Sequence, residues 1–292
     1  MSSLDQYQDI LRADEPLGQK TWLKVGGPAQ WYAEPRTTAE LEGLVRAAAA
    51  EDLQVRILGG GSNLLVRDEG VSGLVIKLTG DEFEGVTVEK ERVRAMGAAP
   101  LSYVISESVA AGLQGLETLV GIPGTIGGAV KGNAGGKHGG IGELVHAVKV
   151  MTAGGDVWTR SGDELTFEYR FSSINELAIL EVEIDLKQGD PEELTRRMRQ
   201  LWITKKASQP FSFQSAGCIF KNPRGLAAGA LIEQSGLKGM KVGGAAVSDR
   251  HANFIVTEPG ASSQDVLNLI EIIRSRVSER HGVDLELEIQ IW

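Results

Sequence analysis

Glycine placement constrains this chain more than any other feature. Two glycine-dense stretches stand about 60 residues apart. The first is Gly59-Gly60-Gly61-Ser62-Asn63. The second runs Gly121-Ile122-Pro123-Gly124-Thr125-Ile126-Gly127-Gly128-Ala129 and continues into Asn133-Ala134-Gly135-Gly136. Glycine loses the most backbone entropy on folding, so it is placed where φ must be positive or where the backbone must lie against something. Two such loops predict one extended, phosphate-bearing ligand gripped by main-chain N–H groups. Glycine accounts for 37 of 292 residues without a period and without proline enrichment, which removes collagen-like and low-complexity readings.

Composition sets the remaining bounds. Hydrophobic residues make up 42% of the chain, enough for packed cores, and the length predicts two or three domains. A net charge of −9 without a basic block argues against nucleic acid or an anionic membrane as partner, while leaving room for a phosphorylated small molecule. The single cysteine, Cys218, rules out a disulfide scaffold and makes the cytoplasm the expected compartment. Cys, His and acidic residues show no zinc-site spacing, so no metal is expected. No run of 18 apolar residues occurs, and the first residues carry neither a basic nor an apolar leader region.

Hydrophobic periodicity predicts a helix over 37–50, capped by Thr37 or Thr38, then a strand Val55-Arg56-Ile57-Leu58 running into the first glycine loop. Short strands are expected near 64–66, 74–78, 86–88 and 93–96, and a helix over 101–111. Ala153-Gly154-Gly155 signals a hairpin, and 178–186 reads as a long strand. Asp190 and Pro191 open a basic helix reaching about Lys206. Beyond it lie a helix over 226–235, a strand over 253–256, an amphipathic helix over 262–281 and a final alternating strand over 285–291. The class is α+β, with boundaries at 1–80, 81–189 and 190–292 and a connecting helix over 190–207.

The first glycine loop is not a G-x-G-x-x-G fingerprint, because no helix pattern follows it. Ser62 and Asn63 add short polar groups able to donate to phosphate. The second is not a P-loop, since Gly136-Lys137 is followed by His138. Pro123 between glycines predicts a rigid turn that aims successive N–H groups into one space, a nucleotide or flavin cradle. Cys218 is either a small buried hydrophobe or a working thiol. It follows Gly217 and stands three residues before Lys221. A thiol with a reference pKa near 8.5 can give up a proton at neutral pH. Arg170 reads as a surface ion-pair partner or a ligand contact, and Glu288 as a polar-face residue. His251 receives no catalytic role, and Trp22, Trp31 and Tyr32 are expected to pack.

Several ordered motifs together resemble one family. They are Asn-Leu-Leu-Val after the triple glycine, Gly-Ile-Pro-Gly-Thr-Ile-Gly-Gly-Ala, Asn-Ala-Gly, Tyr-Arg-Phe-Ser, Ser-Ala-Gly-Cys-Ile-Phe-Lys-Asn-Pro and Val-Gly-Gly-Ala-Ala-Val-Ser-Asp-Arg-His-Ala-Asn-Phe. The set is similar to the MurB-type UDP-N-acetylenolpyruvoylglucosamine reductases, in their shorter form without a tyrosine-bearing loop. The resemblance implies two subdomains holding FAD in a vanillyl-alcohol-oxidase-like fold, a C-terminal substrate domain, NADPH as reductant and a UDP-sugar enolpyruvate as substrate. Carried over position by position, it implies FAD contacts from Gly59, Gly60, Gly61, Ser62, Asn63, Gly121, Ile122, Pro123, Gly124, Thr125, Gly127, Gly128, Asn133 and Ala134. It implies catalytic roles for Cys218, Arg170 and Glu288, and substrate contacts from Lys221 and Asn222. Cys218 departs from the family's usual serine, Gln290 from a common arginine, and His138 stands where a bulkier aromatic is expected. The glycine loops alone equally suit another flavin oxidase or dehydrogenase, or a non-catalytic flavin- or sugar-nucleotide-binding regulator.

Overall fold

Thr37 adopts an extended backbone and its side chain accepts the amide of Glu40, so the helix Thr38–Ala50 starts where a capping threonine permits it. Its Leu41, Leu44, Val45 and Ala48 are buried, as the spacing predicts. The computed structural model describes residues 3–292. By contact they form two compact units of discontinuous segments. The first takes the chain up to Ala13, then Gln30–Gly60 and Ser72–Thr204; the second takes Asp14–Ala29, Gly61–Val71 and Lys205–Trp292.

The first unit holds two cores. One packs Leu41, Leu44, Val45, Leu74, Ile76 and Phe83 with Met151 and Leu180. Its strand Val55–Ile57 pairs in parallel with Val71–Ile76, so that Val55 faces Leu74 and the chain emerges at Gly59. The strands Leu11–Pro16 and Pro28–Ala33 complete that sheet. Neither is evident from periodicity, because each carries proline at an end, and Pro28–Ala33 pairs on its other side with Val71–Ile76, far along the chain.

The other core lies under a five-stranded antiparallel sheet in the order Val157–Ser161, Val145–Met151, Ala178–Asp185, Arg92–Met96, Val86–Glu89. Its hairpin turns at Ala153-Gly154-Gly155. Val93, Ala95, Val148, Val150, Val182 and Ile184 pack against Leu101, Val104 and Ile105 of the helix Leu101–Ala110, and against Ile126 and Val130. The last two belong to a short helix, Ile126–Lys131, inside the second glycine stretch. Glycine disfavours helix, so the sequence reads there as loop. The helix forms because Thr125 caps it and because Gly127 lies against Gly97, where a Cβ would stand 2.7 Å from the Gly97 carbonyl oxygen.

The basic helix Pro191–Ser208 begins with proline in its first turn, and Asp190 Oδ1 accepts the Glu192 amide at 3.0 Å. Arg197 reaches Glu117, 1% exposed, at 3.0 Å.

In the second unit a four-stranded sheet runs Gln214–Cys218, Phe254–Thr257, Ala245–Val247, Lys241–Val242. Ile219, Phe220, Ile255, Leu269, Ile270 and Ile273 form its core with Leu23, Val25 and Leu65. The helix Ser263–His281 is tied down at its start. Ser262 Oγ accepts the Asp265 amide, and Asp265 Oδ2 accepts the amides of Ser262 at 3.0 Å and Gly244 at 3.1 Å. Asp68 Oδ1 accepts the Ser263 amide at 2.9 Å. Gly282, with φ 65°, closes the other end.

The run 285–291 is not one continuous strand partner. Phe220 bridges Leu287 antiparallel, and Gln290–Ile291 then pairs in parallel with Leu64–Leu65. Trp22 does not pack as expected; it is 43% exposed, whereas Tyr32 is fully buried. No helix among the described residues is long and apolar enough to cross a membrane.

Candidate functional site

The first unit brings the two glycine loops into contact. A Cβ on Gly60 would lie 2.6 Å from Gly124 Cα, and one on Gly59 would lie 3.0 Å from Thr125 Oγ1. Part of the glycine requirement is therefore backbone meeting backbone. Gly61 belongs to the second unit, where two things demand glycine: its φ is +63°, and a Cβ there would collide with the Lys20 carbonyl. Val120 through Thr125 form an unbroken half-buried run, with Gly59 and Gly60 half-buried beside Gly124 and Thr125. Ile126 and Gly127 give their amides to Ala99 and Gly97, and Gly128 gives its amide to Thr125 Oγ1 at 3.3 Å. Residues 118–142 contain no carboxylate but include Lys131 and Lys137. A half-open glycine surface without acids, bearing a threonine hydroxyl, suits a diphosphate.

Arg170 sits in the two-residue turn between Phe167–Glu168 and Phe171–Ser172, with a positive φ of 55°. Its guanidinium donates to the Gly135 carbonyl at 3.1 Å and lies 5.1 Å from the Tyr169 ring centroid. The turn is bolted to the second glycine stretch. Asn133, 8% exposed, donates to the Glu168 carbonyl at 2.7 Å and accepts the Gly142 amide at 2.9 Å. Ser172 Oγ donates to the Lys131 carbonyl at 2.7 Å, and Lys131 Nζ donates to the Ile174 carbonyl. Burial pushes the Lys131 ammonium below its usual value. Ala134 closes the segment by accepting the Ile141 amide at 2.8 Å.

Cys218 ends its strand immediately after a bulge. Ser215 faces Val256, but Cys218 faces Phe254, so one extra residue is inserted where Gly217 takes φ +75°. A Cβ on Gly217 would meet nothing within 4 Å. The glycine is there for its left-handed backbone, and such bulges re-aim the neighbouring side chain. The thiol is half-buried.

The strand then pairs with the chain's last segment. Ile219 O accepts the Glu288 amide, and the Lys221 amide donates to Glu286 O, both at 2.8 Å. Glu288 is thus in register with Ile219, one residue from Cys218. Asn63 joins the same segment, donating from Nδ2 to the Glu288 carbonyl at 3.1 Å and accepting the Gln290 amide at 2.9 Å. Lys221 Nζ pairs with Glu286 at 2.6 Å, and Asn222 Oδ1 accepts the Ala228 amide at 3.0 Å. Of the candidates in this unit, Asn63, Cys218, Lys221, Asn222 and Glu288 therefore belong to connected main-chain ladders and caps.

One residue that the sequence reading left without a role is Asn253, an amide within the apolar run Ala252-Asn253-Phe254-Ile255-Val256. It is 3% exposed and hydrogen-bonded to the residues after Cys218. A buried polar side chain in the turn just before the strand Phe254–Thr257, within an apolar run, is the signal that marks it. His251 stacks edge-on against Phe254 at 4.9 Å, and burial lowers its pKa. Among the described residues, no group of His, Cys, Asp and Glu is gathered to hold a metal.

Comparison with known proteins identifies the family of the chain. A family model described as UDP-N-acetylenolpyruvoylglucosamine reductase, C-terminal domain, matches residues 209–292, and one described as FAD binding domain matches 29–161. The chain is 41% identical to UDP-N-acetylenolpyruvoylglucosamine reductase of Heliobacterium modesticaldum over 95% of its length and 89% of the relative's. It is 42% identical to UDP-N-acetylenolpyruvoylglucosamine reductase 2 of Symbiobacterium thermophilum, covering 97% and 92%. The crystal structure of UDP-N-acetylenolpyruvylglucosamine reductase from Thermus caldophilus aligns with TM-score 0.83 at 39% identity, covering 97% of this chain and 99% of that one.

Proposed function

The chain belongs to the UDP-N-acetylenolpyruvoylglucosamine reductase family, and on that premise we propose how its own residues divide the reaction. It is an FAD-dependent oxidoreductase that reduces the enolpyruvyl group of a UDP-sugar to the lactyl ether of UDP-N-acetylmuramate, a peptidoglycan precursor. NADPH is the electron donor, the cytoplasm is the compartment, and the product serves cell shape and division.

Gly59, Gly60 and the 121–128 loop hold FAD, their acid-free surface accommodating its diphosphate, and Thr125 retains a hydroxyl proton to donate. Gly61, Ser62 and Asn63 are further FAD contacts in this reading, and Asn133 and Ala134 shape the segment that follows the 121–128 loop. In chain order, 1–80 and 81–189 are the two cofactor-holding subdomains and 190–292 is the substrate domain. When bound, FAD supplies the two-electron relay that carries a hydride from the nicotinamide to the substrate's methylene carbon.

The chain's own work is to manage the charge and the proton that this addition leaves behind. Negative charge spreads over the α-carbon and the carboxylate, and fixed donors stabilise it best. Arg170, already locked on the Gly135 carbonyl, is the cation for that carboxylate. Glu288 contributes by sharing a proton with it, since an ionised glutamate alone would repel the charge. Cys218 supplies the proton. The C–H bond at the α-carbon forms as the S–H bond breaks, and solvent returns a proton to the thiolate. A thiol is more acidic than an alcohol, so cysteine serves where serine is common. Lys221 and Asn222 take phosphate or sugar. The Lys221–Glu286 pair, whose glutamate is largely exposed, contributes only about 0–1 kcal/mol and yields readily to a phosphate.

The observation that supports this reading most directly is the register that sets Glu288 opposite Ile219, one residue from a thiol re-aimed by a bulge. The test is anaerobic stopped-flow. NADPH should bleach the bound flavin, and UDP-N-acetylglucosamine enolpyruvate should restore the colour with one product formed per flavin. Cys218→Ala should leave bleaching unchanged and slow recovery by about 10²-fold or more, the usual worth of a positioned general acid. Equal loss in both phases refutes the proton-donor role.

A further inference from the structure

Asn253 is an amide buried among apolar side chains, and each of its polar atoms is engaged. Its main-chain N–H donates to His251 Nδ1 at 3.2 Å, and its carbonyl accepts the Ile219 amide at 2.8 Å. Its side-chain Oδ1 accepts the Phe220 amide at 3.0 Å, and Nδ2 donates to the Phe220 carbonyl at 2.8 Å. Three of these four bonds fall on the two residues that follow Cys218.

The need for such a clamp comes from the bulge. Regular pairing of Gln214–Cys218 with Phe254–Thr257 is broken between Ser215 and Cys218. Beyond the break, the chain would leave the ladder with the Phe220 N–H and C=O facing a buried interior. The Asn253 carboxamide presents one donor and one acceptor to Phe220, as a peptide group of a neighbouring strand would. Packing alone would be served by leucine or valine, which carry no desolvation cost. The clamped segment also receives the Glu288 amide on the Ile219 carbonyl. One side chain therefore fixes the main chain that carries both Cys218 and the anchor of Glu288.

We infer that Asn253 is a positioning residue for the reduction of the enolpyruvyl group: by clamping Ile219 and Phe220 it sets where the Cys218 S–H points when the α-carbon takes its proton. This rests on the reading of Cys218 as the proton donor. Asn253 touches neither substrate nor cofactor in this role, and it acts through the thiol.

Asn253→Asp keeps the shape and the acceptor toward the Phe220 amide but sets an oxygen against the Phe220 carbonyl. In anaerobic stopped-flow with flavin-loaded full-length protein, the limiting rate of colour recovery should fall by roughly 10- to 100-fold, the scale of a misplaced catalytic group. The half-saturating concentration of enolpyruvyl substrate should stay within about threefold, because a lesion in the acid does not remove ground-state binding. The solvent deuterium effect on recovery should rise, and bleaching by NADPH should be unchanged. Should Asn253→Asp fail to retain flavin, Asn253→Ser, which puts no carboxylate against the Phe220 carbonyl, decides by the same readouts. A folded variant with wild-type recovery overturns the inference. So does a variant whose half-saturating concentration rises while its limiting rate holds, which would make Asn253 a support for substrate binding only. Cys218→Ala run in parallel separates the two failures. If it recovers colour at the wild-type rate, the proton-donor reading falls and the inference falls with it; if it is slow while the Asn253 variants are fast, only the inference falls.

Discussion

Replacing Gly60 by alanine should part the two glycine loops. The Gly60 backbone needs no left-handed conformation, so the whole effect is steric. The new methyl would lie 2.6 Å from Gly124 Cα and 3.3 Å from Gly124 C. Both contacts are main-chain atoms, which cannot swing aside as a side-chain tip would. Forcing a methyl into a site closed by backbone costs about 1–3 kcal/mol. At about 2–4 °C of melting temperature per kcal/mol for a unit of this size, the expected loss is roughly 2–12 °C. Gly124 stands between Pro123 and the cap Thr125, so the shift falls on the surface assigned to the cofactor, and flavin retained through purification should drop. Gly136→Ala is the control, because its methyl meets nothing within 4 Å and its φ is not positive. It should melt within about 0.5 kcal/mol of wild type. Thermal melts and the ratio of flavin to protein absorbance read both effects. If Gly60→Ala matches Gly136→Ala in melting and flavin content, the loops do not support one another and the argument from their contact is wrong.

Cys218→Ser should retain substantial turnover, since a hydroxyl preserves the proton; a folded but inactive serine variant would point to thiol-specific chemistry. Asn133→Ala should destabilise the first unit by about 2 kcal/mol, through loss of the bonds to the Glu168 carbonyl and Gly142 amide, and melting curves should show it. The same variant should raise the half-saturating concentration of enolpyruvyl substrate as the Arg170 turn loosens. Asp265→Asn should cost about 0.5–1 kcal/mol in urea unfolding at neutral pH, the worth of a charged cap at a helix start. The Ser262 and Gly244 amides hold the Asp265 carboxyl below its usual value. Its stabilisation is therefore fully present above the unfolded pKa near 4 and disappears as the pH falls through the lower folded value. The gap between wild type and Asp265→Asn should close in strong acid, and a gap that widens would refute the assignment.

Local signals made much of this fold legible. The Thr37 cap, the Ala153-Gly154-Gly155 turn, and the i, i+3, i+4 spacing of Val266, Leu269, Ile270 and Ile273 each encode their element within a few residues. What escaped was decided by partners far away in sequence. Ile126–Lys131 is helical despite its glycines because Gly97 and Thr125 receive it. The alternation over 285–291 is real, yet it serves two different neighbours, Phe220 and Leu64–Leu65, which no period can announce. The site was legible as a set of residue types but not as a set of bonds. Nothing in the triple glycine distinguishes Gly60, pressed on Gly124, from Gly61, pressed on Lys20. Asn253 was visible as a polar residue in an apolar run, while its purpose depended on a bulge two strands' worth of sequence earlier.

The pairing of Gln290–Ile291 with Leu64–Leu65 has a consequence for biogenesis. Leu23, Val25 and Leu65 emerge from the ribosome long before the residues that bury them, which end at Ile289 and Ile291. The second unit cannot close until residues 285–291 are available; many of its contacts join segments far apart in sequence, and its early apolar segments wait uncovered until then. Nascent chains stalled before residue 285 should therefore be cut by protease near Leu65, and protection there in such chains would show that another arrangement shelters the segment.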